Sequence, residues 1–92
     1  SKKLKMNIIE LKKELKESKT SYGIRESVRA IKKGKAEKIF ISKNLPKEKE
    51  EEIENYCKVS KIPIVKIDAS PEQIAEACKE EFNINIICKQ KK

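Results

Sequence analysis

The sequence predicts an α/β fold: a three-layer α/β/α sandwich built on a small four-stranded mixed sheet. Three observations point there. Apolar stripes at helical spacing alternate along the chain with short runs rich in Ile, Val and Phe. One of those runs, Ile39-Phe40-Ile41, is bulky at three consecutive positions, the pattern of a strand covered on both faces. Strands separated by helix-length segments favour right-handed crossovers, a mostly parallel arrangement and helices on both sides of the sheet.

Each element has its own local reason. Leu4, Ile8, Leu11 and Leu15 share one face of an expected helix over 4–17, with Lys12, Lys13, Glu14 and Lys16 opposite. Ser18 to Gly23 breaks it and has room for one very short strand. Ile24, Val28 and Ile31 form the next stripe, giving a helix from Ile24 to Lys33 that Gly34 terminates. Lys38 to Ser42 follows as a strand. Asn44 is the expected cap of a third helix with Pro46 in its first turn, and Ile53, Tyr56 and Cys57 mark its buried side out to Ser60. A strand over 62–67 comes next. Ser70-Pro71-Glu72-Gln73 is a helix start on three counts: Ser at the cap, Pro at the first helical position and Gln reaching back from the third. Ile74, Ala77, Cys78 and Phe82 are placed on its inner side. Ile84, Ile86 and Cys88 alternate in a last strand that ends at Lys89.

At 92 residues the chain is expected to be one domain over 1–92, structured from 4 to 89, with 1–3 and 90–92 frayed. It carries 23 Lys and Arg against 15 Asp and Glu, and no His. The excess of +8 is unevenly spread: residues 1–43 are net +9 and residues 44–92 net −1. That asymmetry fits a polyanionic partner, nucleic acid or a membrane surface, or else a solubilising surface. Twenty-one Lys, 14 Glu and 14 Ile with two Gly fit a thermophile's ion-pair surface or an AT-rich genome equally well.

Several classes are disfavoured. Without His there is no imidazole base and no Cys-His or Ser-His pair. Cys57, Cys78 and Cys88 leave one thiol unpaired and form no C-x-x-C, against both a disulfide framework and a zinc knuckle. They read as small buried hydrophobes in a reducing, cytoplasmic setting. No apolar run approaches the roughly 20 residues that span a bilayer, so no membrane role is expected. No catalytic residues, metal or cofactor are assigned. Glu48 to Glu54 could be imagined as a carboxylate site, but an unbroken Glu run in the first turns of a helix fits a solvated face better. A small-molecule site using Asn44, Asp68 and Ser70 would lack both a Gly-rich phosphate loop and a positioned base.

The start of the second helix is different. Arg25 and Arg29 are the only arginines, and they stand at the positive end of the helix dipole with only Glu26 to offset them. Arg25, Arg29 and Lys32 recur at i, i+4 and i+7, a basic stripe beside the Ile24/Val28/Ile31 core stripe. With Gly23 in front and backbone N–H groups at the helix start, they form a phosphate-binding corner. The alternative is a basic helix that contacts only water. Tyr22 and Phe82 are the aromatics least committed to the core, and either could stack on an unpaired base.

The run Tyr22-Gly23-Ile24-Arg25-Glu26-Ser27-Val28-Arg29, then Lys33-Gly34-Lys35-Ala36, Ile39-Phe40-Ile41-Ser42, Asn44-Leu45-Pro46, Glu52 to Cys57 and Ile62-Pro63-Ile64, resembles the superfamily of the ribosomal proteins L7Ae and L30e, its L30e branch most closely. The similarity extends from Leu4 to Lys89 in order. It implies an α/β/α sandwich that binds kink-turn or internal-loop RNA, including ribosomal RNA, in a ribonucleoprotein and without catalysis. The residues it implies as contacts are Gly23, Ile24, Arg25, Glu26 and Arg29, and a second loop at Phe82, Asn83 and Ile84. Arg25 fills a slot that is Asn in one type and Lys in the other. The family's Leu-Gly pair in the last helix and the Gly after it are here Ile74-Ala75 and Lys79-Glu80-Glu81, which sets two carboxylates near the second loop.

The expected function is therefore that of a non-enzymatic RNA-binding protein, monomeric when free, whose site comprises Tyr22, Gly23, Ile24, Arg25, Glu26, Arg29, Lys32, Phe82, Asn83 and Ile84. Its partners would be the RNA and other ribonucleoprotein components. The alternative is a divergent paralogue that uses the same fold as a protein-protein interaction module.

Overall fold

A computed structural model describes residues 4–92; the expectation of fraying at 1–3 lies outside the described residues. The elements are β1 (Leu4–Met6), α1 (Ile8–Leu15), β2 (Thr20–Tyr22), α2 (Ile24–Lys32), β3 (Ala36–Ser42), α3 (Lys47–Ser60), β4 (Ile64–Ile67), α4 (Pro71–Ala77) and β5 (Ile86–Gln90). They form a five-stranded mixed sheet in the order β1-β4-β3-β5-β2. β1 and β3 both run parallel to β4, whereas β5 is antiparallel to β3 and to β2.

The sandwich is as expected, but the sheet has one strand more than four and is only half parallel. The added strand is β1, where the helix was expected to begin. Leu4, Lys5 and Met6 pair in register with Val65, Lys66 and Ile67. Asn7 then starts α1: its Oδ1 accepts from the Glu10 N–H at 2.8 Å while its own N–H donates to Glu10 Oε1 at 3.2 Å. This reciprocal cap fixes the helix start after Met6, and β4 captures the residues before it.

Alternation divides the core. On one face Ile39 and Ile41 of β3 and Ile86 and Cys88 of β5 meet Ala30 and Ile31 of α2 and Ile53 and Cys57 of α3. On the other, Phe40 and Ile87 join Val65, Leu11 of α1, and Ile74 and Ala75 of α4. The three consecutive bulky residues of β3 thus serve both faces, as their pattern requires.

Other boundaries shift. Pro46, not Asn44, stands at the start of α3, and it offers no side-chain cap; Asn44 lies in the turn before it. Ile62 and Ile84 pack as loop residues ahead of β4 and β5, which begin at Ile64 and Ile86. Gln90 and Lys91 are not frayed: the Gln90 N–H donates to Lys19 O at 2.9 Å and the Lys91 N–H to Lys35 O at 2.8 Å. Ala75, rather than Ala77, shares the inner side of α4 with Ile74, and Phe82 is exposed because the chain leaves the helix before reaching it. Tyr56 is half-buried, since its position on α3 faces the groove beside α2 instead of the sheet.

Candidate nucleic-acid interface

The sheet brings three loops to one of its edges: the β2–α2 corner, the β3–α3 turn and the α4–β5 loop. Together they enclose a cleft of about 390 Å3, with Tyr22, Gly23 and Ile24 from the first, Leu45, Pro46 and Lys49 from the second, and Phe82 to Ile86 from the third. The loops are tied to the sheet. The Gly23 N–H donates to Ile86 O at 2.9 Å, and Ser42 donates twice to Asn85, from its N–H to the backbone O at 2.9 Å and from Oγ to Oδ1 at 2.7 Å. The Ile84 N–H reaches Pro71 O at 3.2 Å. A ligand entering here meets a surface whose backbone is already ordered, so little entropy is lost on binding.

Gly23 sits at φ 91° and ψ 162°, a region that only glycine populates without strain. No protein atom lies within 4 Å of the position a Cβ would take, so the backbone conformation and not crowding demands glycine. As the residue preceding α2 it supplies no side-chain hydrogen bond, and the first-turn N–H groups keep the positive pole of the helix uncovered by a cap. Arg25 and Arg29 are exposed, Arg25 in the first turn as expected but Arg29 in the last, because α2 ends at Lys32; among the described residues the ion pair at either is Arg29 Nη1 to Glu26 Oε2 at 3.4 Å, between two side chains about half in solvent.

Phe82 is 52% exposed, uncommon for so large an apolar side chain. Its ring meets Tyr22 edge-on, with centroids 5.9 Å apart and planes at 66°. Tyr22 is anchored in turn: Thr20 Oγ1 lies 3.5 Å from its hydroxyl, and burial pushes its phenol above the usual range, so it stays neutral. Asn83 Nδ2 donates to Glu72 Oε1 at 3.3 Å, which holds the loop against α4. Ile84 is buried in the core and contributes shape only. Glu81 is exposed beside this loop and Glu80 half-buried.

The site residues expected from sequence therefore fall on two neighbouring surfaces, except Glu26, which is exposed and lines neither. Tyr22, Gly23, Phe82, Asn83 and Ile84 share the cleft, whereas Arg25, Arg29 and Lys32 line a groove of about 530 Å3 between α2 and α3, with Lys33, Glu52 and Tyr56. Ile24 borders both. Lys32 Nζ stands 5.6 Å from the Tyr56 ring centroid, a cation–π contact that steadies the far end of the groove. Leu45, Pro46 and Lys49 were not among the expected contacts: Pro46 read as a helix start and Asn44-Leu45-Pro46 as part of the family resemblance, and only the fold brings them to the same cleft as Phe82.

The model of the ribosomal protein L7Ae/L30e/S12e/Gadd45 family matches residues 8–92. The chain belongs to that family. Among curated members of the L7Ae/L30e group, the large ribosomal subunit protein eL30 of Sulfurisphaera tokodaii is 28% identical over 78 residues, covering 85% of this chain and 74% of its own length. The eL30 of Trypanosoma brucei brucei is 30% identical over 73 residues, covering 79% and 70%. Among solved structures, the Giardia lamblia 15.5kD RNA binding protein superposes with a TM-score of 0.73 at 21% identity, over 92% of this chain and 69% of its own. A Bacillus halodurans protein of unknown function reaches the same TM-score at 14% identity. These structural likenesses establish the fold.

Elsewhere the L7Ae/L30e-type chain offers little chemistry. Burial pushes all three cysteine thiols up, Cys57 to about 12, so they are protonated at neutral pH. Among the described residues no three His, Cys, Asp or Glu side chains are grouped to hold a metal, and no helix is long and apolar enough to cross a membrane. Of Asn44, Asp68 and Ser70, Ser70 is spent on capping α4, where its Oγ accepts from the Gln73 N–H at 3.2 Å.

Proposed function

We propose that the protein is a non-enzymatic RNA-binding component of a ribonucleoprotein, and that it grips a kink-turn or related internal-loop RNA at the α2 corner. The observation that carries this reading is the exposed Phe82 ring, held edge-on by Tyr22 across the cleft from the uncapped start of α2. A sharply bent RNA turns out one or two unpaired bases, and a fixed aromatic face stacks on such a base whatever its identity. Phosphates flanking the bend meet the first-turn N–H groups of α2 and the guanidinium groups of Arg25 and Arg29, with Lys32 adding charge farther along. Glu26 accepts from a base amino or imino group. Membership of the family and the eL30 relatives support the ribonucleoprotein setting.

Titration of a fluorescent kink-turn RNA tests this, with a straight duplex of the same length as control. The bent RNA should bind more tightly, with a log–log salt slope of about −0.7 to −0.9 per neutralised phosphate. Equal binding of the two RNAs sinks the kink-turn reading, and sequencing RNA that co-purifies with the protein identifies the natural target. A protein-docking role of the same fold is favoured by one feature: Val59 is 84% exposed beside Tyr56 on α3. Recovery of a stoichiometric protein partner with no RNA would support that role instead.

A further inference from the structure

The cleft uses only half of its sheet edge. On the other half, the carboxyl ends of the parallel strands β1, β4 and β3 lie side by side and open a separate depression of about 390 Å3. Among the described residues three lysines line it, Lys5 from β1, Lys66 from β4 and Lys43 just beyond β3, against one carboxylate, Asp68. Open α/β sheets collect ligands at this end of their parallel strands. Its described lining is net +2, with Glu50 at the edge of Lys66, and that charge comes from side chains, because the Asn7 cap already occupies the start of α1.

Two of the lysines stand in solvent, the third is half-buried, and their supports are fixed. Lys5 and Lys43 are exposed, and Lys66 Nζ approaches Glu50 Oε1 only to 4.0 Å, at the outer limit of an ion pair. The Asp68 N–H donates to Met6 O at 2.8 Å and the Lys43 N–H to Ala69 O at 3.3 Å, which ties the three strand ends together. Compact ammonium groups neutralise phosphates without reading bases. Lys43 is followed directly by Asn44, Leu45 and Pro46, and the last two form a wall of the Phe82 cleft. The two depressions are thus contiguous along five strands, about 19 Å at 4.8 Å per spacing.

We propose that this lysine depression is a second phosphate-binding site for the same RNA, holding the backbone of the strand or stem that leaves the Phe82 cleft. The proposal rests on the RNA-binding reading given above. Its role is to lengthen the footprint and to orient the flanking stem, with no contribution to base recognition.

The test compares two RNAs: a kink-turn RNA with stems of a full helical turn on each side, and the same loop trimmed to a few base pairs. Wild-type protein should bind the long RNA more tightly and with the steeper salt slope. Lys5→Ala/Lys43→Ala/Lys66→Ala should flatten the long-RNA slope by about 2 to 3 while leaving the trimmed RNA unaffected. Lys43→Glu alone, at an exposed position, should weaken only the long complex. Unchanged affinity and slope for the long RNA in both variants overturns the second site and leaves the cleft standing. Failure of wild type to bind either RNA overturns the RNA-binding reading itself.

Discussion

The clasp at one end of the sheet and the outer face of α2 use the same kinds of charge in opposite ways. At the end away from the cleft, Glu14 of α1 accepts from Lys38 Nζ at 2.8 Å and from Lys89 Nζ at 3.2 Å, and Lys89 reaches on to Glu37 at 3.1 Å. The two lysines and Glu14 are largely shielded from water, so the four charges form a clasp between α1, β3 and β5. Along α2, Arg25 near the cleft and Arg29 and Lys32 in the last turn stand in solvent, and among the described residues the ion pair there is the half-exposed one between Arg29 and Glu26. A count of charges cannot separate the two regions; pairing and burial do. Charge at the clasp is satisfied within the fold, whereas charge along α2 is left to solvent.

The largest expected effect breaks the corner. Charge-assisted hydrogen bonds to phosphate are worth about 1.5–3 kcal/mol each, so Arg25→Ala/Arg29→Ala should cost at least a hundredfold in RNA affinity. Because both side chains are exposed, thermal stability should move by no more than about 0.5 kcal/mol. Retained affinity in the titration removes the corner from the site. Phe82→Ala comes next, with an expected loss of about tenfold to a hundredfold from one lost stacking contact. Its salt slope should match wild type, since no phosphate contact goes with it. A flattened slope would mean that the Phe82 loop carries phosphate contacts and not a base.

The clasp should respond in the opposite sense. Glu14→Gln leaves Lys38 and Lys89 without their shared carboxylate; about 1 kcal/mol of stability should go, roughly 4–8 °C in Tm for a domain of this size, with RNA affinity unchanged. The hydrogen bond from Lys38, helped by Lys89, holds the Glu14 carboxyl below its ordinary range despite the opposing effect of burial. A carboxyl depressed on folding contributes stability that is present above its unfolded value of about 4.3 and is lost as the pH falls through the lower folded value. Wild type should therefore lose stability more steeply than Glu14→Gln on acidification below about pH 4.3. Parallel acid-denaturation curves for the two proteins would show that Glu14 is no clasp.

Legibility in the sequence follows the same division between local and distant causes. The Ser70 cap, the two-faced run of β3 and the inward positions Ile31, Ile53 and Cys57 are set by neighbours in the chain and stand where the spacing puts them, whereas Ile24, Val28 and Tyr56 are only partly buried and Ser27 and Ala30 of α2 lie deeper. β1 was hidden because Leu4 continues the helical spacing of Ile8, Leu11 and Leu15, and only pairing with β4 reveals it. The local clue was Asn7 followed three residues later by Glu10, a capping box. Within the candidate site, Arg25 was legible because it violates helix polarity, whereas Arg29 stands in the last turn of α2, where the dipole favours a cation. The Tyr22–Phe82 contact and the wall formed by Leu45 and Pro46 were not legible, since both depend on strand order across the sheet. The clasp was invisible for a different reason: with 23 basic and 15 acidic residues, very many pairings look equally good until the register chooses one.

The smallest expected effect is also the sharpest, because Glu26 belongs to both patterns. It sits at the corner, yet its carboxylate pairs with Arg29 as the clasp residues pair with each other. As a partner for Arg29 alone it would be a restraint: Glu26→Ala would free a guanidinium, remove a repulsive charge beside phosphate, raise affinity and steepen the salt slope. As an acceptor for a base it is part of the recognition surface, and losing one hydrogen bond of about 1 kcal/mol should lower affinity about fivefold. Removal of the repulsion offsets some of that, so the expected net result is a loss of two- to fivefold, with stability changed by less than about 0.5 kcal/mol for an exposed i,i+3 pair. Glu26→Gln keeps an acceptor oxygen without the charge and should recover most of the loss. The sign of the Glu26→Ala effect in the RNA titration decides between restraint and recognition, and a gain in affinity would move Glu26 out of the site.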